Sequence, residues 1–304
     1  MKASRILVPV DFSPASGAAL KDAAAWAKRT GAALRVLHVH LPSIPAVVAA
    51  SGMVLPALDP VQARRLLEAV ERELAAFVES ALGKGHRAAL SVEEGIFVPE
   101  TVAESAEKQG DDLLCFSAHG RRGFRHLLMG STAEAILRLS PLPSLVLRYA
   151  DQRAPAPSLR KPDTVLACVD LSDHSRTVLA HAASLVEPEG TLVAAHVIEG
   201  PASFGLYGAA LDLPAENREA AREWVQVALA KLLEGIGGQQ KIETLRVTFD
   251  RPARGILALK EELKPDLTVL GTRGPQGGQR LLLGSVAERV IRQAVGPVFV
   301  VPAA

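Results

Sequence analysis

Short apolar runs rich in β-branched residues alternate with longer amphipathic segments along the chain. The short runs predict strands and the longer segments predict helices. Strands are expected near 5–10, 33–39, 87–93, 112–117 and 144–148, and again near 164–169, 191–197, 242–248, 267–271 and 298–301. Helices are expected near 14–29, 60–82, 98–109, 131–140, 173–186, 215–235, 252–263 and 285–294. Continuous apolar strands that alternate with helices are typical of parallel sheets covered on both faces, so we expect doubly wound α/β domains.

The chain also repeats itself. The stretch 6–13, ILVPVDFS, resembles the stretch 165–172, VLACVDLS, and the Gly-Ser pair at 130–131 recurs at 284–285. Between the copies, residues 151–163 hold three prolines, which neither a helix interior nor a central strand accepts. We therefore expect a first domain at 1–150, a linker at 151–163 and a second domain at 164–304.

Candidate binding chemistry follows the first and fourth strands of each copy. In open α/β sheets, ligands bind beyond the carboxyl ends of the strands, where the strand order reverses. The segments 117–131 and 271–285 are rich in glycine and lead directly into a predicted helix. Glycine lets the backbone approach a ligand closely, and the free amides of a helix start, with Ser131 or Ser285 as the N-cap, favour an anion such as phosphate.

These residues carry a family resemblance. The second copy resembles the Gly-2x-Gly-9x-Gly-Ser/Thr signature of ATP-binding universal stress proteins, with Gly271, Gly274, Gly284 and Ser285. The first copy has His119-Gly120 and Gly130-Ser131 in the matching places, but Ser117 stands where the first glycine belongs. The resemblance covers nearly the whole chain, twice.

The resemblance implies two five-stranded parallel sheets of order 3-2-1-4-5, one per copy, which pair through their last strands as an intramolecular pseudo-dimer. It implies ATP or another adenine nucleotide as the ligand, with Val197 at the adenine, Gly271 at the ribose and the later glycines at the phosphates. The implied binding residues of the second copy are Val169, Asp170, Val197, Gly271, Arg273, Gly274, Gly284, Ser285 and Val286. Those of the first copy are Val10, Asp11, Val39, Ser117, His119, Gly120, Arg121, Gly130, Ser131 and Thr132.

Several side chains leave alternatives open. The carboxylates of Asp11 and Asp170 would repel a triphosphate unless Mg²⁺ lay between them or the carboxylate faced the ribose, and either residue could instead cap the next helix. His38 and His196 are packing residues or proton donors. Ser117 would crowd the ribose or donate a hydrogen bond to it, so the second copy is expected to be the tighter site.

Two long segments follow the second strand of each copy, at 41–60 and 199–214. They are longer than ordinary connections in α/β units. Each is interpreted as a lid, as a docking surface or as a loop folded against the other copy.

Composition narrows the function classes. The net charge is +1 and aromatic residues make up 4% of the chain, which argues against nucleic acid and anionic membranes as partners. Cys115 and Cys168 lie inside apolar runs, so we expect both thiols to be buried and reduced. Reduced thiols and the lack of an apolar run of 18 residues predict a cytoplasmic protein. We find no Walker motif, catalytic triad signature or metal-ligand spacing.

The preferred hypothesis is a cytoplasmic stress-response sensor or regulatory module that binds ATP, hydrolyses it slowly at most, and acts on an unidentified protein partner. Two tandem chains are also expected to be able to form a homodimer. The first alternative is a nucleotide-free interaction scaffold of the same fold. The second is a nucleotide hydrolase or nucleotidyl transferase, for which the sequence shows no evident general base.

Overall fold

The computed structural model describes residues 3–41, 59–119, 129–149, 162–199, 215–236, 241–272 and 283–303. The elements of the first half are β1 (Arg5–Pro9), α1 (Pro14–Thr30), β2 (Ala33–His40), α2 (Pro60–Leu82), β3 (Ala89–Glu94), α3 (Val98–Gln109), β4 (Leu113–Ser117), α4 (Ser131–Leu139) and β5 (Ser144–Arg148). Those of the second half are β6 (Thr164–Cys168), α5 (Ser175–Leu185), β7 (Thr191–Ile198), α6 (Ala215–Leu233), β8 (Lys241–Phe249), α7 (Pro252–Leu263), β9 (Leu267–Gly271), α8 (Ser285–Gln293) and β10 (Gly296–Val301). None of these helices has the combination of length and apolar character that a bilayer crossing requires.

Local sequence signals explain where the helices begin and end. The Ser13 side chain accepts a hydrogen bond from the Ser16 amide at 3.1 Å and caps α1, which ends at Gly31 with a φ of 73°. Asp59 and Gln62 form a capping box at the start of α2. These polar and glycine positions end each helix before the next strand enters the sheet.

The strands form one continuous sheet of order β3-β2-β1-β4-β5-β10-β9-β6-β7-β8. Within each half the strands are parallel in the order 3-2-1-4-5, as expected. The halves join where β5 pairs antiparallel with β10, with Val146 opposite Val298. The two expected five-stranded sheets and their pairing through the last strands are thus confirmed, and they merge into a single ten-stranded sheet in the described part of the chain.

The core lies on both faces of this sheet. Alternate strand residues point to opposite faces, so Ile6 and Val8 pack in one layer and Leu7 in the other. One layer contains buried residues of α1, α2, α5 and α6, and the other contains buried residues of α3, α4, α7 and α8. Burial on both faces is why the strand sequences read as unbroken apolar runs.

An ion-pair cluster joins the halves beside the central strands. Arg138 donates to Glu134 within α4 at 2.5 Å, and Arg292 donates to Glu288 within α8 at 2.5 Å. Arg292 also reaches Glu134 across the junction at 3.4 Å. The two helices that follow the glycine-rich segments are therefore linked directly.

A buried ion pair organises the outer part of the first half. Arg35 on β2 donates to the Asp111 carboxylate through two guanidinium nitrogens, including Nε to Oδ2 at 3.0 Å. The same guanidinium donates to Ser91 at 3.1 Å and to the Ser105 hydroxyl at 3.0 Å. The Asp111 side chain is fully buried, so these bonds replace the water that its charge would otherwise require.

We expect the substitution Arg35→Leu to lower the free energy of unfolding of the first half by about 3–5 kcal/mol, because the buried Asp111 charge loses its hydrogen-bonded partner and keeps only the more distant Arg5, at 3.9 Å, among the described residues. Urea unfolding followed by circular dichroism measures the change. The matched control is Arg64→Leu, which breaks the exposed pair with Glu68 and should change stability by less than about 1 kcal/mol. Equal effects of the two substitutions would contradict the assignment.

Candidate functional site

A cavity of about 690 Å³ opens at the carboxyl ends of the strands in the second half. It lies between the ends of β6, β7 and β9 and the starts of α5, α7 and α8. Seven residues predicted from the sequence line it, namely Val169, Asp170, Val197, Gly271, Gly284, Ser285 and Val286. The predicted binding residues Arg273 and Gly274 lie outside the described residues. The cavity is of the size that ordinary small-molecule sites have.

The start of α8 forms one end of this cavity. The Gly284 amide donates to the Thr272 carbonyl at 2.7 Å, which fixes the helix start directly beyond β9. Gly284 is the N-cap residue and, in the part of the chain that the structure describes, no side chain caps the helix. The expectation that Ser285 would be the N-cap is wrong, because Gly284 occupies the N-cap position and Ser285 is the first helical residue. The first-turn amides therefore remain available to an anion.

The turn after β6 holds Asp170 in place. One carboxylate oxygen, Oδ1, accepts hydrogen bonds from the Ser172 amide at 3.0 Å, the Ser172 hydroxyl at 2.6 Å and the Ser175 hydroxyl at 2.9 Å. Leu171 has a φ of 63°, a left-handed conformation that such a residue rarely adopts. The N-cap of α5 is His174, so the interpretation of Asp170 as the N-cap residue is wrong.

The first half repeats this turn. The Asp11 carboxylate accepts a hydrogen bond from the Ser13 amide at 3.1 Å, and Phe12 has a φ of 61°. Ser13, not Asp11, is the N-cap of α1. In both halves the aspartate shapes the strand-to-helix turn, where its carboxylate accepts a hydrogen bond from the amide of the serine two residues later.

The histidines at the ends of β2 and β7 tie neighbouring strands together. The Nδ1 atom of His38 lies 2.8 Å from the Val10 carbonyl, and Nδ1 of His196 lies 2.9 Å from the Val169 carbonyl. A carbonyl oxygen only accepts, so each Nδ1 carries a proton and donates it. These contacts agree with the packing interpretation of both residues.

The start of α4 in the first half resembles that of α8. The Gly130 amide donates to the Ala118 carbonyl at 2.8 Å, and among the described residues no side chain caps the helix. Ser131 is the first helical residue rather than the expected N-cap, and it is exposed together with Thr132.

The remaining first-half residues stand as follows. Val10 is buried, and Val39 is half-buried near the end of β2. The Ser117 hydroxyl donates to the His119 carbonyl at 2.5 Å, so its proton is used within the chain. Gly120 and Arg121 lie outside the described residues, as do most of the two long segments at 41–60 and 199–214.

One cavity residue, His174, was missed by the sequence analysis. Its ring packs on Gly271, where a Cβ atom would lie 2.9 Å from the His174 Cδ2 atom and 3.4 Å from a methyl group of Val178. In the first half, the residues 159 positions earlier in the sequence are Ala15 and Ala19, both much smaller. The larger Ser117 thus occurs together with smaller residues at these two sequence positions, whereas Gly271 occurs together with larger ones. A comparison of these positions between the two copies would have revealed the exchange.

The cavity holds no reactive thiol. Burial raises the pKa of the Cys168 thiol to about 12, although the nearby Lys260 charge opposes this shift. The thiol is therefore protonated at neutral pH and is a poor nucleophile. Cys115 and Cys168 are both free and buried, as expected.

We expect Gly271→Ser to destabilise the second half by about 1–3 kcal/mol, because the new Cβ overlaps the His174 ring. The double variant Gly271→Ser/His174→Ala, which reproduces the residue pair of the first half, should recover most of this loss. Chemical denaturation of the four proteins of this double-mutant cycle measures the coupling. Additive effects would show that the two residues are not in contact.

Comparisons with known proteins agree with this architecture. The Universal stress protein family model matches residues 2–148 and again residues 162–302. A universal stress protein of Mycolicibacterium smegmatis is 28% identical over 303 residues, covering 97% of this chain and 96% of the relative. A solved Archaeoglobus fulgidus universal stress protein superimposes with a TM-score of 0.62 at 22% identity, covering 100% of this chain and 98% of that one. A Pseudomonas aeruginosa protein described as functionally unknown gives a TM-score of 0.64 at 19% identity, covering 99% of this chain and 92% of that one. With the family model matched twice along its length, the chain belongs to the universal stress protein family and carries two copies of its fold.

Proposed function

We propose that the second half binds an adenine nucleotide, ATP in the first instance, and that the chain acts as a nucleotide-responsive regulatory module. The observation that carries this proposal is the uncapped start of α8, which opens into the 690 Å³ cavity beside Ser285 and Val286. A helix start of this kind binds phosphate through backbone amides and the helix dipole. It needs no cluster of basic side chains, which agrees with the net charge of +1.

The shape of the cavity supports a ligand with one anionic and one apolar end. Its walls follow the strand order β9, β6, β7, and adjacent strands lie about 4.8 Å apart. The α8 start lies at the β9 end, whereas Val197, Pro252 and Ile256 form an apolar wall at the β7 end. A nucleotide has this polarity, with phosphates at one end and a flat base at the other.

The described residues do not form a metal site of their own. No group of three or more His, Cys, Asp or Glu side chains in the described ranges is placed to hold an ion. Asp170 is a single carboxylate, and its Oδ1 atom already accepts three hydrogen bonds. The expected Mg²⁺ at Asp170 or Asp11, shared with the phosphates of a nucleotide, stays a prediction.

The same geometry favours binding over efficient catalysis. The Cys168 thiol is protonated because burial raises its pKa, and Nδ1 of His196 is used by the Val169 carbonyl. Slow hydrolysis is the most that this arrangement supports. The domain limits at 1–150 and 164–304, the cytoplasmic location, the protein partner and the homodimer remain predictions.

The first half is proposed as a second, weaker nucleotide site. Its helix start at Gly130 repeats that of α8, which favours binding over an empty scaffold. The Ser117 hydroxyl donates a hydrogen bond to the His119 carbonyl, so it is not available to donate one to a ribose.

The test is ATP binding measured by isothermal titration calorimetry on the full chain. We expect Ser285→Asp to weaken binding at least about 10-fold, because a carboxylate at the first residue of α8 repels the phosphates. The same substitution favours the helix itself, since a negative charge near its start complements the helix dipole, so unfolding without ligand should occur at an unchanged or higher temperature.

Ser131→Asp is the matched control in the first half. It should remove only the weaker binding event and leave the tighter one unchanged. If Ser131→Asp abolishes the tighter event instead, the halves are assigned in the wrong order. If the wild-type chain binds no ATP, the scaffold alternative replaces this proposal.

A further inference from the structure

His174 is a polar side chain in the second-half cavity, and the first half has Ala15 at the corresponding sequence position. His174 lines the cavity, and its Nε2 atom lies 3.2 Å from the Val301 carbonyl oxygen at the end of β10. Because that oxygen only accepts, Nε2 carries the proton. In a neutral ring Nδ1 is then a hydrogen-bond acceptor, and no donor to it is found within the described ranges.

His174 lies on the β9 side of the cavity, away from the apolar wall at β7. Its ring packs against Gly271 at the end of β9, next to β6 and Asp170. The phosphate end of the cavity lies at the start of α8, and the apolar end lies at Val197. In a nucleotide the sugar connects those two ends, and its hydroxyl groups are hydrogen-bond donors.

One of the two oxygens of the neighbouring Asp170 carboxylate is already used. Oδ1 of Asp170 already accepts from the Ser172 amide and from two serine hydroxyls. The imidazole can lie beside Gly271 because that residue has no Cβ; a Cβ there would be 3.3 Å from Nε2 itself. The position of the His174 ring therefore requires glycine at residue 271.

We propose that Nδ1 of His174 accepts a hydrogen bond from a ribose hydroxyl, which makes the second half selective for ribonucleotides over deoxyribonucleotides. The proposal rests on the function proposed above. The first half has Ala15 at the corresponding position, which offers no polar side-chain atom. The two halves thus differ in sugar selectivity as well as in affinity.

The experiment compares ATP, 2′-deoxy-ATP and 3′-deoxy-ATP by calorimetry, in a Ser131→Asp background that silences the first half. One neutral hydrogen bond corresponds to a preference of about 5- to 10-fold for ATP over the analogue that lacks the bonded hydroxyl. In His174→Gln the side-chain amide can still donate to the Val301 carbonyl, but the Nδ1 acceptor is lost. We expect this variant to lose affinity for ATP, retain its affinity for that analogue and show no sugar preference.

His174→Asn is the matched control, since its side-chain oxygen lies near the position of Nδ1. It should restore part of the preference for ATP. An equal loss of affinity for all three nucleotides in His174→Gln would overturn the proposal, because a merely structural role would affect them alike. Equal binding of all three to the unsubstituted His174 protein would overturn it too, while the proposed nucleotide site would stand. If the second half binds none of them, the proposed function itself fails.

Discussion

The antiparallel pairing of β5 with β10 determines the arrangement of everything else. Each half is parallel within itself, so this single antiparallel contact turns one half over relative to the other. The carboxyl ends of the two sets of strands therefore face opposite edges of the sheet, and with them the two candidate sites. Because both halves belong to one chain, their pairing does not depend on protein concentration, as it would between separate subunits.

The central contact also sets the electrostatics of both helix starts. Glu134 and Glu288 lie in the first turns of α4 and α8, where a negative charge would compete with a bound anion. Each is paired with an arginine four residues later, and Arg292 additionally approaches Glu134 across the junction. The arginines offset the carboxylate charge, so the open amides at Ser131 and Ser285 remain favourable for the anion that we propose.

The fold was predictable from sequence because most of its strands are buried on both faces. Such strands appear as unbroken apolar runs, and Pro60, Gly31 and Gly110 mark helix ends by their backbone geometry alone. The helix starts at Ser131 and Ser285 agree with the predicted ones, but the N-caps were placed one residue late, since glycine caps a helix without a side-chain signal. The fusion into one sheet was implied only by resemblance, because pairing Val146 with Val298 is a long-range event that no local pattern records.

The candidate site was predictable at Gly284 and Ser285, where backbone amides form it. It was not predictable where the size of one residue depends on that of another residue far away in the sequence. Gly271 and His174 are 97 residues apart in the sequence, and the local sequence around either residue does not reveal that a Cβ on Gly271 would overlap the His174 ring. That contact changes the meaning of Ser117. The position that corresponds to His174 is Ala15 in the first copy, so the missing glycine occurs together with a smaller residue there. A lost glycine therefore does not by itself mark an empty site, because duplicated domains can exchange volume between a strand end and the following helix while the open helix start, on which the proposed phosphate binding depends, remains the same.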